Sequence, residues 1–253
     1  VFALISITAI QGNAEFVIIF IISILSAFAL IPFSIIKEKI PEASNHNNVF
    51  QHLSTYDWGR IFRAITPLFL VAIAAGLTMP YMNLYFHSVF KMNSGNFAIL
   101  GSISAILILI AGLLSPLLRR KLGYRKSIAL TQLLIVVFLI LLAFTEIYST
   151  WMLAVWLAAI AYIFKDVLMH IANPITTELI MVYSGKHNQE FIYTIGISLW
   201  YISWYISAKI FQYFSQAGYS YYIIFILAAG LYILGTIAYL LLANKQMNNS
   251  SLK

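Results

Sequence analysis

The sequence is short of charge. Only 9% of its 253 residues are Asp, Glu, Lys or Arg, against roughly 25% in an ordinary soluble domain. So little charge cannot clothe a water-facing surface when 62% of the chain is hydrophobic, which excludes a soluble globular protein and leaves lipid as the main solvent. Cysteine is absent altogether, which removes any disulfide framework and any thiolate metal site. No His/Asp/Glu set has metal-ligand spacing, and neither a nucleophile elbow nor a phosphate-cradling glycine loop is present. No metal and no cofactor are therefore expected. Strict apolar–polar alternation over about 10 residues, the mark of a membrane barrel strand, is also missing. The net charge of +7 does not indicate nucleic acid, because the cations are scattered between apolar runs and form no basic domain.

What the chain does contain is a series of apolar runs. A helix needs about 20 such residues to cross a bilayer. The tail of one run occupies 1–10, and full runs follow at 16–36, 61–86, 97–118, 128–144, 151–173, 191–214 and 221–243. The fold class expected is all-α: a polytopic helical bundle integral to the membrane, with seven full spans and one partial. Residues 174–190 read as helical at first and then as a loop. Loops between successive spans alternate sides. Twelve cations fall in one set of loops and termini (Lys37, Lys39, Arg60, Arg63, Arg119, Arg120, Lys121, Arg125, Lys126, Lys186, Lys245 and Lys253), and only Lys91 falls in the other. The positive-inside rule then places the 37–59 loop and the C-terminus in the cytoplasm of a cell (inner) membrane. One miscounted span would scramble that phase. Val1 opens within an apolar run, so further helices are expected upstream.

Two stretches carry a family resemblance. Arg120-Lys121-Leu122-Gly123-Tyr124-Arg125-Lys126 sits where the major facilitator superfamily repeats its signature loop, roughly G-x-x-x-D-R-x-G-x-R-R, in the second half. Arg120 stands at the family's Asp position. Gly76-Leu77-Thr78-Met79-Pro80-Tyr81-Met82-Asn83-Leu84-Tyr85-Phe86 resembles the helix with which many members begin a half. The layout is similar as well: one and a half helices of an N-terminal half (1–36), a cytoplasmic linker (37–59), a six-helix C-terminal bundle (60–243) and a tail (244–253). The resemblance implies the C-terminal half of a transporter whose remaining N-terminal helices are missing.

Working residues are sought where polarity interrupts the spans. Pro80 removes a backbone hydrogen bond and marks a helix break. Asn83 and Tyr85 follow it, either as part of an outer gate touching solute or, for Tyr85, as part of the interfacial aromatic belt. Tyr162, Asp166, His170 and Asn173 fall at i, i+4, i+8 and i+11, one polar stripe on a helix. Asp166 and His170, one turn apart, would couple transport to protons or would serve a structural or gating ion pair. Lys165 points roughly 100° away from the stripe; it either joins Asp166 and His170 as an ion-pair or proton-coupling candidate or snorkels partway to the cytoplasmic face. Trp200 and Trp204 lie near mid-span and either wall a cavity or pack helices. Gly196, Trp200, Ser203 and Ser207 share a face suited to close helix approach. Lys209 is read as snorkelling, with an anionic solute as the alternative. Glu178 and Glu190 are solvated or form an inner gate.

The reading that follows is a secondary transporter of a small organic solute by alternating access, not an enzyme, with the bilayer and its own N-terminal helices as further partners. It leans towards efflux of amphiphilic compounds. A sugar or nutrient proton symporter is the alternative within the class. An intramembrane lipid-modifying enzyme, with only Asp166 and His170 to work with, and a non-transporting membrane protein are the alternatives outside it.

Overall fold

The computed structural model describes residues 14–28, 56–185 and 188–251. They divide into two compact units, 1–56 and 57–253, each taken by itself. In the first, helix α1 spans Ala14–Phe28. The partial span at 1–10 and the 37–55 part of the linker lie outside the described residues.

The second unit is entirely helical among its described residues: α2 (Trp58–Thr78), a 3-10 turn (Met79–Tyr81), α3 (Met82–Phe90), α4 (Ser94–Ile147), α5 (Ala154–Ser184), α6 (Gln189–Gln216) and α7 (Tyr221–Ser251). Local chemistry sets several ends. Asp57 caps α2 by accepting from the Arg60 N–H at 3.1 Å, and Asn93 caps α4 through the Asn96 N–H at 2.7 Å. Glu146, at the end of α4, accepts from the backbone N–H groups of Tyr221 (3.1 Å) and Tyr222 in the first turn of α7, where the helix dipole favours a carboxylate.

Helix α4 has 54 residues, about 80 Å at helical rise, far more than a bilayer core of roughly 30 Å. It is two crossings folded at Gly123, whose φ of 71° and ψ of 174° lie outside the helix in a region that glycine adopts without a Cβ clash. The basic turn expected over 119–126 is thus one non-helical residue with helix on both sides, and Ser127 Oγ donates across it to the Leu118 carbonyl at 3.0 Å. Five helices of the described residues are long and apolar enough to cross a membrane, and counting the two arms of α4 separately makes six segments that run alternately up and down. One end of the bundle, the basic end, carries Arg60, Arg63, Arg119–Lys126 and Lys245.

Two boundaries differ from the sequence expectation. The fourth crossing begins at Ala154 rather than 151 and runs through Pro174 to Ser184. Pro174 leaves the His170 carbonyl without its helical donor, and beside it Ser115 Oγ donates to the Ile171 carbonyl at 3.0 Å, a polar contact from a neighbouring helix of the kind that accompanies proline in membrane helices. The first crossing extends beyond 86 to Phe90, because the interruption at Met79–Tyr81 is a single tightened turn.

Candidate functional site

Helices α2, α5, α6 and α7 line a half-open cavity of about 190 Å³ near the basic end. Leu68 and Val71 line it from α2, Asn173, Thr176, Thr177, Ile180 and Met181 from α5, Ile192, Tyr193, Gly196, Ile197 and Trp200 from α6, and Tyr239 from α7. The wall is largely apolar, with a few hydroxyls and one amide, the usual make-up of a small-molecule site. Its shape depends on close packing of α6 on α2. Ser203 and Ser207 are buried, Ser207 Oγ donates to the Ile73 carbonyl at 2.8 Å, and a Cβ on Gly196 would stand 3.2 Å from Leu68 Cδ2. The small-residue face read from the sequence therefore packs helices. Trp200 on that face reaches the cavity, whereas Trp204 backs onto Gly76 and buries its Nε1 without a hydrogen-bond partner.

The polar stripe of α5 divides. Asn173 faces the cavity. Tyr162 packs edge-on to Phe86 with centroids 5.9 Å apart. Asp166 is buried and accepts from Ser104 Oγ of α4 at 2.7 Å. His170 Nδ1 lies 2.9 Å from the Asp166 main-chain oxygen and 3.9 Å from its carboxylate, so the backbone contact is the nearer. Lys165 does not snorkel: it is 2% exposed. Helix α5 is covered along the Lys165 side as well as along the stripe, so a side chain 100° off the stripe still meets protein. Lys165 and Asp166 are the only buried side chains of charged type among the described residues.

Tyr85 lies wholly inside the bundle. Its hydroxyl shares a 2.8 Å hydrogen bond with Thr145 Oγ1 and donates to the Leu142 carbonyl at 3.2 Å, within a cluster with Phe86, Tyr221 and Phe225. Asn83 and Pro80 are exposed, and Tyr81, beside the break, stacks on Phe211 with centroids 3.5 Å apart. Of the signature-loop positions, Arg120, Lys121, Gly123, Arg125 and Lys126 are all exposed. The residue that makes contact is their neighbour Arg119, whose Nη2 meets Glu178 Oε1 of α5 at 2.5 Å and Tyr124 OH at 2.7 Å. This clasp joins α4 to α5 one turn beyond Pro174, close to the cavity residue Thr177.

A family model described as Major Facilitator Superfamily matches residues 1–208. The chain belongs to the major facilitator superfamily. It is accordingly a multi-pass membrane transporter and not an enzyme. No curated protein matches the chain. For a facilitator-superfamily chain, the Gly123 fold and the Arg119–Glu178 clasp occupy the loop the signature motif singled out, although the motif itself pointed to 120–126. The signal available for Arg119 was the scarcity of acids. Glu178 is one of only eight in the chain, it lies at the basic end, and a lone carboxylate there has a cation to meet.

Proposed function

We propose that this protein is a secondary active transporter that moves a small amphiphilic organic solute by alternating access. In this reading 60–243 is a C-terminal six-helix half working against an N-terminal half upstream, and the basic end with the 244–253 tail faces the cytoplasm. The observation that carries it is the apolar, aromatic-edged cavity opening among α2, α5, α6 and α7. In transporters built of two bundles, sites lie between the bundles and rocking exposes them to each side in turn. The Arg119–Glu178 clasp closes the basic end in one state. Proton coupling would run through His170 and Asp166, whose charged and titratable surroundings are Lys165, Tyr162 and Tyr232.

The test is flux of fluorescent aromatic amphiphiles, one anionic and one cationic, in proteoliposomes of the full-length protein. Gradient-driven flux of at least one is expected, and absence of both sinks the reading. Arg119→Gln and Glu178→Gln should each change that flux several-fold. Stability should shift by less than about 1 kcal/mol, because an ion pair this exposed contributes little. The swapped pair Arg119→Glu with Glu178→Arg should restore the flux; if it behaves as the sum of two unrelated lesions, the clasp is not a gate.

A further inference from the structure

Helix α6 is sparsely covered, with 17% of its apolar segment buried, and the first arm of α4 is as bare, with only Ser104, Ala111 and Ser115 buried between Ser94 and Leu118. The exposed side of α6 carries a polar stripe flanked by Ile197 and Ile202. Thr194, Ser198, Tyr201, Tyr205, Lys209 and Gln212 are all exposed and fall at i, i+4, i+7, i+11, i+15 and i+18, which places them on one face about 80° wide. The first arm of α4 offers the opposite case. Its exposed face, at the same kind of spacing, is Ile99, Ile103, Ile106, Ile110, Leu113 and Leu117, a surface made for lipid. Polar groups in the bilayer core are costly unless satisfied within protein or by water. Thr194 and Ser198 hydroxyls are satisfied by the carbonyls of Glu190 and Thr194, at 3.0 and 3.1 Å. No described residue supplies a hydrogen-bond partner to the Tyr201 or Tyr205 hydroxyl or to Gln212. Lys209 Nζ lies 5.9 Å over the Tyr205 ring, and none of the ion pairs among the described residues involves it. The face begins beside the cavity, which α6 lines with Tyr193, Gly196, Ile197 and Trp200.

We infer that this face of α6 is a wall of the solute pathway, and that Lys209 with Tyr205 and Tyr201 selects an aromatic solute bearing an anionic group. The inference rests on the transport reading above and names its substrate class. The two tyrosine rings give stacking area and their hydroxyls give donors. The ammonium, held by the Tyr205 ring and lacking a carboxylate, gives an anion its only full positive charge along the face. Lys209 stands about 10 Å from the end of α6 by helical rise, and its ammonium turns back over the Tyr205 ring rather than out towards that end.

The chain contains no cysteine, so a single cysteine reports cleanly. Ser198→Cys lies about 13 Å from the start of α6, inside the spanning length of the helix, and Ile106→Cys on the aliphatic α4 face is the control. In proteoliposomes of the full-length protein, a membrane-impermeant maleimide is expected to label Ser198→Cys at least tenfold faster than Ile106→Cys. Naphthalene-2-sulfonate should slow the reaction, and N-methylquinolinium should not. Adding Lys209→Gln should weaken that protection tenfold or more, and Lys209→Arg should retain it. Equal labelling of the two cysteines puts the face in lipid or against other helices and overturns the inference. So does protection that survives Lys209→Gln or is the same for both probes. Loss of gradient-driven flux with protection intact would count against the transport reading alone.

Discussion

Asp166→Asn is expected to destabilise the bundle by about 1–3 kcal/mol: among the described residues no ion pair joins Lys165 to Asp166, so what is lost is a through-space charge balance in a buried setting. The substitution is nearly isosteric, and its amide oxygen can still accept from Ser104, which reaches the carboxylate at 2.7 Å in the native protein. What it removes is the negative charge beside Lys165, a side chain with 2% of its surface exposed. Restoring an apolar neighbour should therefore repair the loss. Lys165→Met in the Asp166→Asn background is expected to recover most of the stability, with a coupling energy above about 1 kcal/mol in the double-mutant cycle. Denaturant unfolding of the four proteins in detergent micelles measures it. Additive effects would mean that the two side chains do not share a charge balance. Proton coupling needs its own variant: His170 lies 3.9 Å from the Asp166 carboxylate, so a change in the pH dependence of flux in His170→Ala reports on the His170–Asp166 pair together.

Gly76→Ala carries the second large effect. A Cβ at Gly76 would stand 2.7 Å from Ser207 Oγ, 2.9 Å from Ser207 Cβ and 3.3 Å from the Trp204 Cα. The last of these is backbone, so α6 itself must move away. That movement pulls Ser207 Oγ from the Ile73 carbonyl it meets at 2.8 Å and opens the wall of the cavity. Overpacking of this kind costs about 1–3 kcal/mol, although alanine is the better helix former by nearly 1 kcal/mol. Gly101→Ala provides the control: its Cβ meets nothing within 4 Å, so only the helix-propensity gain remains and stability should rise or stay level. The measurement is again unfolding in micelles, paired with flux. Gly76→Ala should lower both, and equal behaviour of the two alanine variants would show that α2 and α6 do not approach closely there.

The parts of this molecule legible in its sequence follow from its solvent. Lipid requires long apolar runs and basic loops in alternate phase, so the fold class, an all-α multi-pass bundle, could be read directly. Gly123 was legible as a fold because glycine accommodates a backbone that other residues resist. Depth inside the bundle was not legible. Tyr85 looked like a mouth or belt residue because it follows Pro80, yet its partners Leu142 and Thr145 lie 57 and 60 positions away, and no local pattern reports such a pairing. For Lys165 the sequence left an ion pair and partial snorkelling both open, and the snorkelling alternative assumes that one side of the helix is free. The α5 stripe looked like one unit because helical spacing aligns its residues. Packing instead turns Asp166 towards Ser104 and Asn173 towards the cavity, so residues sharing a stripe end in different surroundings. The polar side of α6 was half visible: Lys209 and the tryptophans stood out, but which side of the helix was covered could not be known before α2 was in place.

Alternation of access is the central claim, and a single cysteine at Thr177, in the cavity and beside the Arg119–Glu178 clasp, tests it most directly. In proteoliposomes of the full-length protein, an impermeant maleimide applied to one side and then to the other should label Thr177→Cys from both, with saturating solute shifting the ratio of the two rates. Labelling confined to one side, at a rate no solute alters, would contradict it.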